Sequence, residues 1–139
     1  MEELWKDRET LAYLAGIFDG EGCITSYGTP RKDHTTYSAP SVSVQVSNND
    51  LEVLVFSQRR LGGKIYSKGV RKPGYKPQWS WFLRGKEAEN CLLELLPYLR
   101  IKQSQARIGL RMLALQGIRN SDIYETRRTL AKQLSTEKG

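Results

Sequence analysis

At 139 residues, the chain has room for one domain with a real core and not for two. A hydrophobic content of 39% with no long apolar run excludes a membrane-spanning helix, and two cysteines, Cys23 and Cys91, exclude a disulfide framework or a metal knuckle. A surplus of 22 Lys and Arg over 15 Asp and Glu leaves a net charge of +7, which favours a polyanionic partner, nucleic acid ahead of an anionic membrane. The first residues lack the basic-then-apolar order of a secretory signal, so the expected setting is reduced and intracellular: a bacterial or phage-host cytoplasm, or an organelle.

In chain order, a first helix is expected from Asp7 or Arg8, with Asp7 as its N-cap and Trp5 packed across the entry. Leu11, Leu14 and Phe18 form a stripe that can bury itself in the chain's own core. Beside it, Ala12, Ala15 and Gly16 recur at helical spacing and let a second backbone approach closely. The helix ends in a turn at residues 19–22, where Gly20 and Gly22 tolerate unusual backbone angles and leave little bulk around Glu21. A carboxylate beside an exposed backbone carbonyl suits a hard cation such as Mg²⁺ or Ca²⁺.

A strand follows at 23–28, then a polar, basic connector to residue 39 that holds Pro30, Arg31, Lys32 and His34. Residues 41–47 alternate strictly, with Val42, Val44 and Val46 on one side and Ser41, Ser43, Gln45 and Ser47 on the other. Asn48, Asn49 and Asp50 cap a helix that runs to about Arg60, and Gly62 and Gly63 turn the chain into a third strand at 64–68. A loop at 69–77, with Pro73, Pro77, Arg71 and Lys72, leads to a fourth strand at 78–84. There Trp79, Trp81 and Leu83 face one way, and Gln78, Ser80 and Phe82 the other. Helices are expected at 85–96 and 102–116, and a last one from Asn120 that frays near Gly139.

This order predicts an α+β domain spanning the whole chain: a four-stranded antiparallel sheet with helices on one face, a core at about 8–115, and a C-terminal helix and tail beyond 120. The helices take the valines and tryptophans. The other face then carries Thr25, Tyr27, Ser41, Ser43, Gln45, Tyr66, Lys68, Gln78 and Ser80. Such a face is either simply wet or a reading surface for base edges in the DNA major groove, with Arg31, Lys32, Arg71 and Lys72 on the loops placed for phosphates. No Ser-His-Asp set is assembled. His34, the single histidine, sits in a loop, and Cys23 reads as a small sheet residue rather than a nucleophile.

The run Leu11-Ala12-Tyr13-Leu14-Ala15-Gly16-Ile17-Phe18-Asp19-Gly20-Glu21-Gly22 closely resembles the signature of the LAGLIDADG homing endonucleases. Pro97-Tyr98-Leu99-Arg100-Ile101-Lys102-Gln103, followed by Gln105-Ala106, resembles that family's second recurring segment, and the likeness covers roughly residues 8–115. It implies the family's saddle-shaped sheet and a site-specific, Mg²⁺-dependent double-strand DNA endonuclease, with Mn²⁺ or Ca²⁺ able to occupy the same site. Glu21 maps onto the metal-ligating acid, with the Gly20 carbonyl beside it. Lys102 maps onto the lysine facing the cleavage centre, and Asn48 onto a position that holds a water. Asp19 maps onto a structural acid near a dimer axis formed with Ala12, Ala15 and Gly16. Glu52 departs from the basic residue that some relatives keep there.

With one motif and no internal repeat, the resemblance implies a homodimer acting on a long, roughly palindromic site and leaving short 3′ overhangs. Two alternatives share the scaffold, a cleavage-inactive DNA-binding protein and a maturase bound to intron RNA. A ribosomal-type RNA-binding domain accounts for the charge and the strands but not for the Gly20-Glu21-Gly22 corner.

Overall fold

The computed structural model describes residues 5–28 and 40–138. Helix α1, Asp7–Glu21, passes without a loop into strand β1, Gly22–Tyr27. Strand β2, Ser41–Asn48, is followed by helix α2, Leu51–Leu61, and then strands β3, Lys64–Gly69, and β4, Gln78–Arg84. Helix α3, Gly85–Leu95, tightens at Pro97 into a short 3₁₀ turn, Leu96–Tyr98, ahead of helix α4, Gln103–Ala114, and helix α5, Ser121–Lys138. The sheet order is β1-β2-β4-β3, antiparallel at every pairing.

The expected alternation holds on the core side. Ile24, Val42, Val44, Val46, Trp81 and Leu83 are buried against Phe18, Leu54, Leu92, Leu95 and Met112 from the helices. Trp79 is only partly buried, at the margin of that core. The Trp81 indole N–H donates to the Gly62 carbonyl at 2.7 Å, so a large ring is buried with its polar atom satisfied. Gly62 and Gly63 have φ of 81° and 91°, as the turn out of α2 requires.

Several local expectations need correction. Lys6, not Asp7, is the N-cap of α1, and its amide donates to the Glu9 carboxylate at 3.1 Å. Asp7 instead accepts from Arg60 at 2.7 and 3.0 Å, and the Arg60 guanidinium holds the Asp7 carboxyl below the usual carboxylate range. Arg60 also reaches Glu94, joining α1, α2 and α3 at one cation. Trp5 does pack across the helix entry, edge-on to Tyr13 and Phe56 with ring centroids 5.3 and 5.7 Å away.

The C-terminal segment is part of the core rather than a tail beyond it. Tyr124, Leu130 and Leu134 are buried, and Arg127 donates to the Pro40 carbonyl at 2.9 Å. Lys102 caps α4 instead of opening it, and α4 ends at Ala114, two residues short of the expected stop, ahead of Gly117 with φ 82°. Cys91 is buried, and desolvation pushes its thiol up to about 12, which leaves it inert as a nucleophile.

The helix-to-strand junction also corrects the reason for its glycines. Gly20 is helical and Gly22 is extended at φ −80°, so neither needs a left-handed conformation. Gly22 is required by space, since a Cβ there would stand 2.2 Å from the Phe18 ring. Gly22→Ala should therefore push Phe18 out of its rotamer and cost about 1–3 kcal/mol, the usual range for overpacking. Urea unfolding measures this, and an unchanged midpoint would mean that the junction relaxes freely.

Candidate active site and nucleic-acid interface

The end of α1 gathers three side chains from distant parts of the chain. Glu21 is the last residue of the helix, and its side chain is exposed. Asn48, the last residue of β2, donates its amide N–H to Glu21 Oε2 at 2.5 Å. The Asn48 amide oxygen accepts from the Asp50 backbone N–H at 2.8 Å, and Asp50 Oδ1 in turn caps α2 by accepting from the Val53 N–H at 3.3 Å. The orientation of the amide is thus set by the start of α2, and its N–H is aimed at the acid. Glu52, in the first turn of α2, is exposed.

Lys102 approaches from the other side. Its Nζ donates to the Asp19 carbonyl at 2.7 Å, a favourable place for a cation because the α1 dipole ends there in negative partial charge. Asp19 is buried, and its carboxylate accepts from the backbone N–H groups of Arg100, Ile101 and Lys102 at 2.7, 3.1 and 3.0 Å. It is therefore a structural acid that ties the end of α1 to the start of α4. Of the other carbonyls in the last turn, Phe18 accepts from the Gly22 amide, and those of Gly20 and Glu21 lie beyond the helix's own ladder.

This donor set fits a hard divalent cation, since the Glu21 carboxylate and the Gly20 carbonyl both offer oxygen. It does not enclose one. Among the described residues no group of three His, Cys, Asp or Glu side chains could hold a metal.

The expected interface residues divide. Ala12 and Gly16 are exposed, and a Cβ on Gly16 would meet nothing within 4 Å. Ala15 is fully buried in the chain's own core, and Asp19 is engaged as above. Both leave the list of outward-facing groups, because the helix turns them onto the same side as Leu11 and Phe18. Tyr13, at 45% exposure, joins the outward face instead.

The polar sheet face divides too. Register places Cys23, Thr25 and Tyr27 beside Gln45, Ser43 and Ser41, with Gln78, Ser80, Phe82 and Arg84 next, and Lys64, Tyr66 and Lys68 on β3. Gln45 and Gln78 are half-buried, while Tyr27, Tyr66, Lys68, Arg71 and Lys72 are exposed. Thr25 is half-buried, with its hydroxyl 2.9 Å from the Cys23 sulfur.

Ser43 and Ser80 are corrections: both are buried, Ser80 completely. Ser80 lies between Ser47 and Tyr66 across the strands and between Gln78 and Phe82 along its own. Ser41 is half-buried and accepts from the Gln116 amide, which leaves its O–H to donate elsewhere. Lys68 donates to Ser47 at 3.2 Å. Arg31, Lys32 and His34 lie outside the described residues.

Sequence reasoning missed Arg84 and the Asp50 link. The signal for Arg84 was present, since the alternation through Gln78, Ser80 and Phe82 continues onto it.

No family model matches the chain. It is 29% identical over 109 residues to the DNA endonuclease I-CvuI of Chlorella vulgaris, a stretch that covers 77% of this chain and 65% of that relative. The crystal structure of I-CvuI in complex with its target in the presence of calcium superposes with a TM-score of 0.75 at 25% identity, covering 94% of this chain and 83% of that one. The chain is thus similar in sequence to a DNA endonuclease and shares the fold of the homing endonucleases. Two more distant structures share the fold. The archaeal intron-encoded homing endonuclease I-Vdi141I, complexed with DNA, gives a TM-score of 0.78 at 16% identity over 95% of this chain and 86% of that one. The LAGLIDADG meganuclease I-CpaMI, bound to uncleaved DNA, gives 0.61 at 19% identity over 90% of this chain but only 41% of its own. This chain thus spans about two thirds of the curated relative and under half of the meganuclease.

The two acids of the motif separate by stability. Asp19→Asn leaves an amide NH₂ facing part-buried backbone donors and should cost about 1–3 kcal/mol for each group left unpaired. Glu21→Gln, on an exposed side chain, should leave the unfolding midpoint close to wild type. Thermal unfolding of the pair checks the division, and equal losses would contradict it.

Proposed function

We propose that this protein is a site-specific, divalent-metal-dependent DNA endonuclease that acts as a homodimer on a long, roughly palindromic site. The observation that supports this reading best is the convergence of Glu21, Asn48 and Lys102 on the end of α1, at one end of a polar sheet face flanked by basic residues. A protein that only binds has no use for an exposed acid clamped by an amide beside a helix-end lysine. The relative I-CvuI is named as a DNA endonuclease, and it has been solved with its target in Ca²⁺ and with the I-CreI target, not cleaved, in Mg²⁺.

Hydrolysis of a phosphodiester needs an activated water, a counter-charge for the phosphoryl oxygens and help for the leaving oxygen; a bound Mg²⁺ supplies polarisation of phosphate and water. Glu21 and the Gly20 carbonyl would hold that ion, with Mn²⁺ and Ca²⁺ fitting the same oxygen donors. Asn48 keeps the Glu21 carboxylate in place through its amide N–H. Lys102, positioned by Asp19, brings a positive charge toward the negatively charged phosphate. In the proposed homodimer the second copy's own Glu21 would stand across a two-fold axis from the first, adding its carboxylate oxygens to the donors available to a hard cation. Strands β1, β2, β4 and β3 lie along the major groove, with Arg71 and Lys72 on phosphates. A double-strand break with short 3′ overhangs is the expected product.

Glu21→Gln should abolish cutting of a plasmid library carrying randomised sites while leaving sequence-specific retention intact, and a chelator should do the same to wild type. Cutting that survives the substitution would place the metal elsewhere. No cutting by either protein, with specific retention by both, would identify a DNA-binding or intron-RNA-binding member of the same fold.

The dimer has its own test. Gly16→Leu adds a side chain into open space in the single chain, so folding should be preserved. In sedimentation the variant should run as a monomer. A dimer of unchanged affinity would move the interface off α1.

A further inference from the structure

We infer that Arg84 is a specificity-determining residue of the sheet, a rigidly held reader of guanine. The assignment rests on the DNA-binding reading above. Its guanidinium carbon lies 4.5 Å from the centroid of the Phe82 ring and 4.7 Å from that of Tyr27. Phe82 is two residues back on the same strand. Tyr27 reaches it across the sheet, from the row next to the Ser43–Arg84 pair. Both rings attract the cation through their π faces. Neither accepts a hydrogen bond from its N–H edge.

Among the described residues the Arg84 guanidinium makes no hydrogen bond and no ion pair, in contrast to Arg60 between Asp7 and Glu94 and to Arg128 on Glu125. The side chain is exposed. An arginine held by aromatic contact, with its whole donor fork free, is prepared for a planar partner with two acceptors, because less side-chain freedom remains to be lost on binding.

Two nucleic-acid groups match that fork, a phosphate and the N7/O6 edge of guanine. Position decides between them. Arg84 stands on β4, an interior strand, on the face shared with Gln45 and Gln78, whereas the phosphate-directed Arg71 and Lys72 sit on an exposed loop beyond the strands. In the major groove only guanine offers two adjacent acceptors. Adenine and thymine pair an acceptor with a donor or a methyl group, and cytosine offers a donor. Phe82 and Tyr27 are then positioning residues, which aim the fork without touching a base.

The test is a binding selection over randomised duplexes with the full chain and its variants. Wild type should enrich guanine at one position of each half-site. Arg84→Lys keeps the charge but loses the fork, and should lower that preference about ten- to hundredfold, the range of one bidentate contact. Phe82→Leu lies outside the core and should lower it about two- to fivefold, the worth of one exposed cation–π contact. Base preferences that survive Arg84→Lys, or an Arg84→Ala protein weakened alike on every sequence, would make Arg84 a phosphate contact and overturn the assignment. Failure of wild type to enrich any site would overturn the DNA-binding reading itself, and the assignment with it.

Discussion

The structure depends on one buried carboxylate. Asp19 accepts three backbone N–H groups, from Arg100, Ile101 and Lys102, and so joins two segments about eighty residues apart in the chain. A charged acceptor in this arrangement is stronger than a neutral one, and it satisfies donors that the start of α4 would otherwise leave unpaired. It also fixes where everything else goes. Lys102 folds back onto the Asp19 carbonyl because its own backbone is held there, and Glu21 projects from the turn that Asp19 anchors.

The sheet is two-faced, as alternation requires, but the outer face is not uniformly available. Side chains of unequal length share it. Tyr66 and Arg84 are exposed while Ser80 and Ser43, their partners in register, are buried, so the accessible surface is made by the long residues and the short ones act as floor. A serine on the correct side of a strand is therefore no guarantee of a hydrogen-bonding group within reach of a ligand. The helix shows the same effect. Ala15 and Gly16 are neighbours in sequence and both small, yet one is wholly buried and the other open.

Much of this was legible from residue order. The valine alternation, the Asp50 cap, the Gly62-Gly63 turn and the strand at 78–84 all stand where the pattern placed them, because each rests on a local rule of period or capping. Glu21, Asn48 and Lys102 were legible through the motif resemblance; Asn48 bonds Glu21, and Lys102 bonds the carbonyl of Asp19 two residues before it. What escaped was set by tertiary contact. Asp7 resembles an N-cap until Arg60 arrives from α2, and the C-terminal segment resembles a tail until Leu130 and Leu134 find the core. The burial of Ser80 depends on which residues stand beside it across two strands, and no single-strand pattern contains that.

The loopless passage from α1 into β1 has a mechanical meaning. Glu21 ends the helix, Gly22 begins the strand, and the Phe18 ring fills the space where a side chain on Gly22 would lie. No hinge separates the acid from the sheet, so the two move as one rigid body. In the proposed complex, the distance between the scissile phosphate and the bases being read is built into the covalent geometry of the backbone. Substitutions on the sheet can then change which sequence is recognised while the point of cutting keeps its offset from it, and recognition can drift through many targets without the catalytic corner having to be rebuilt.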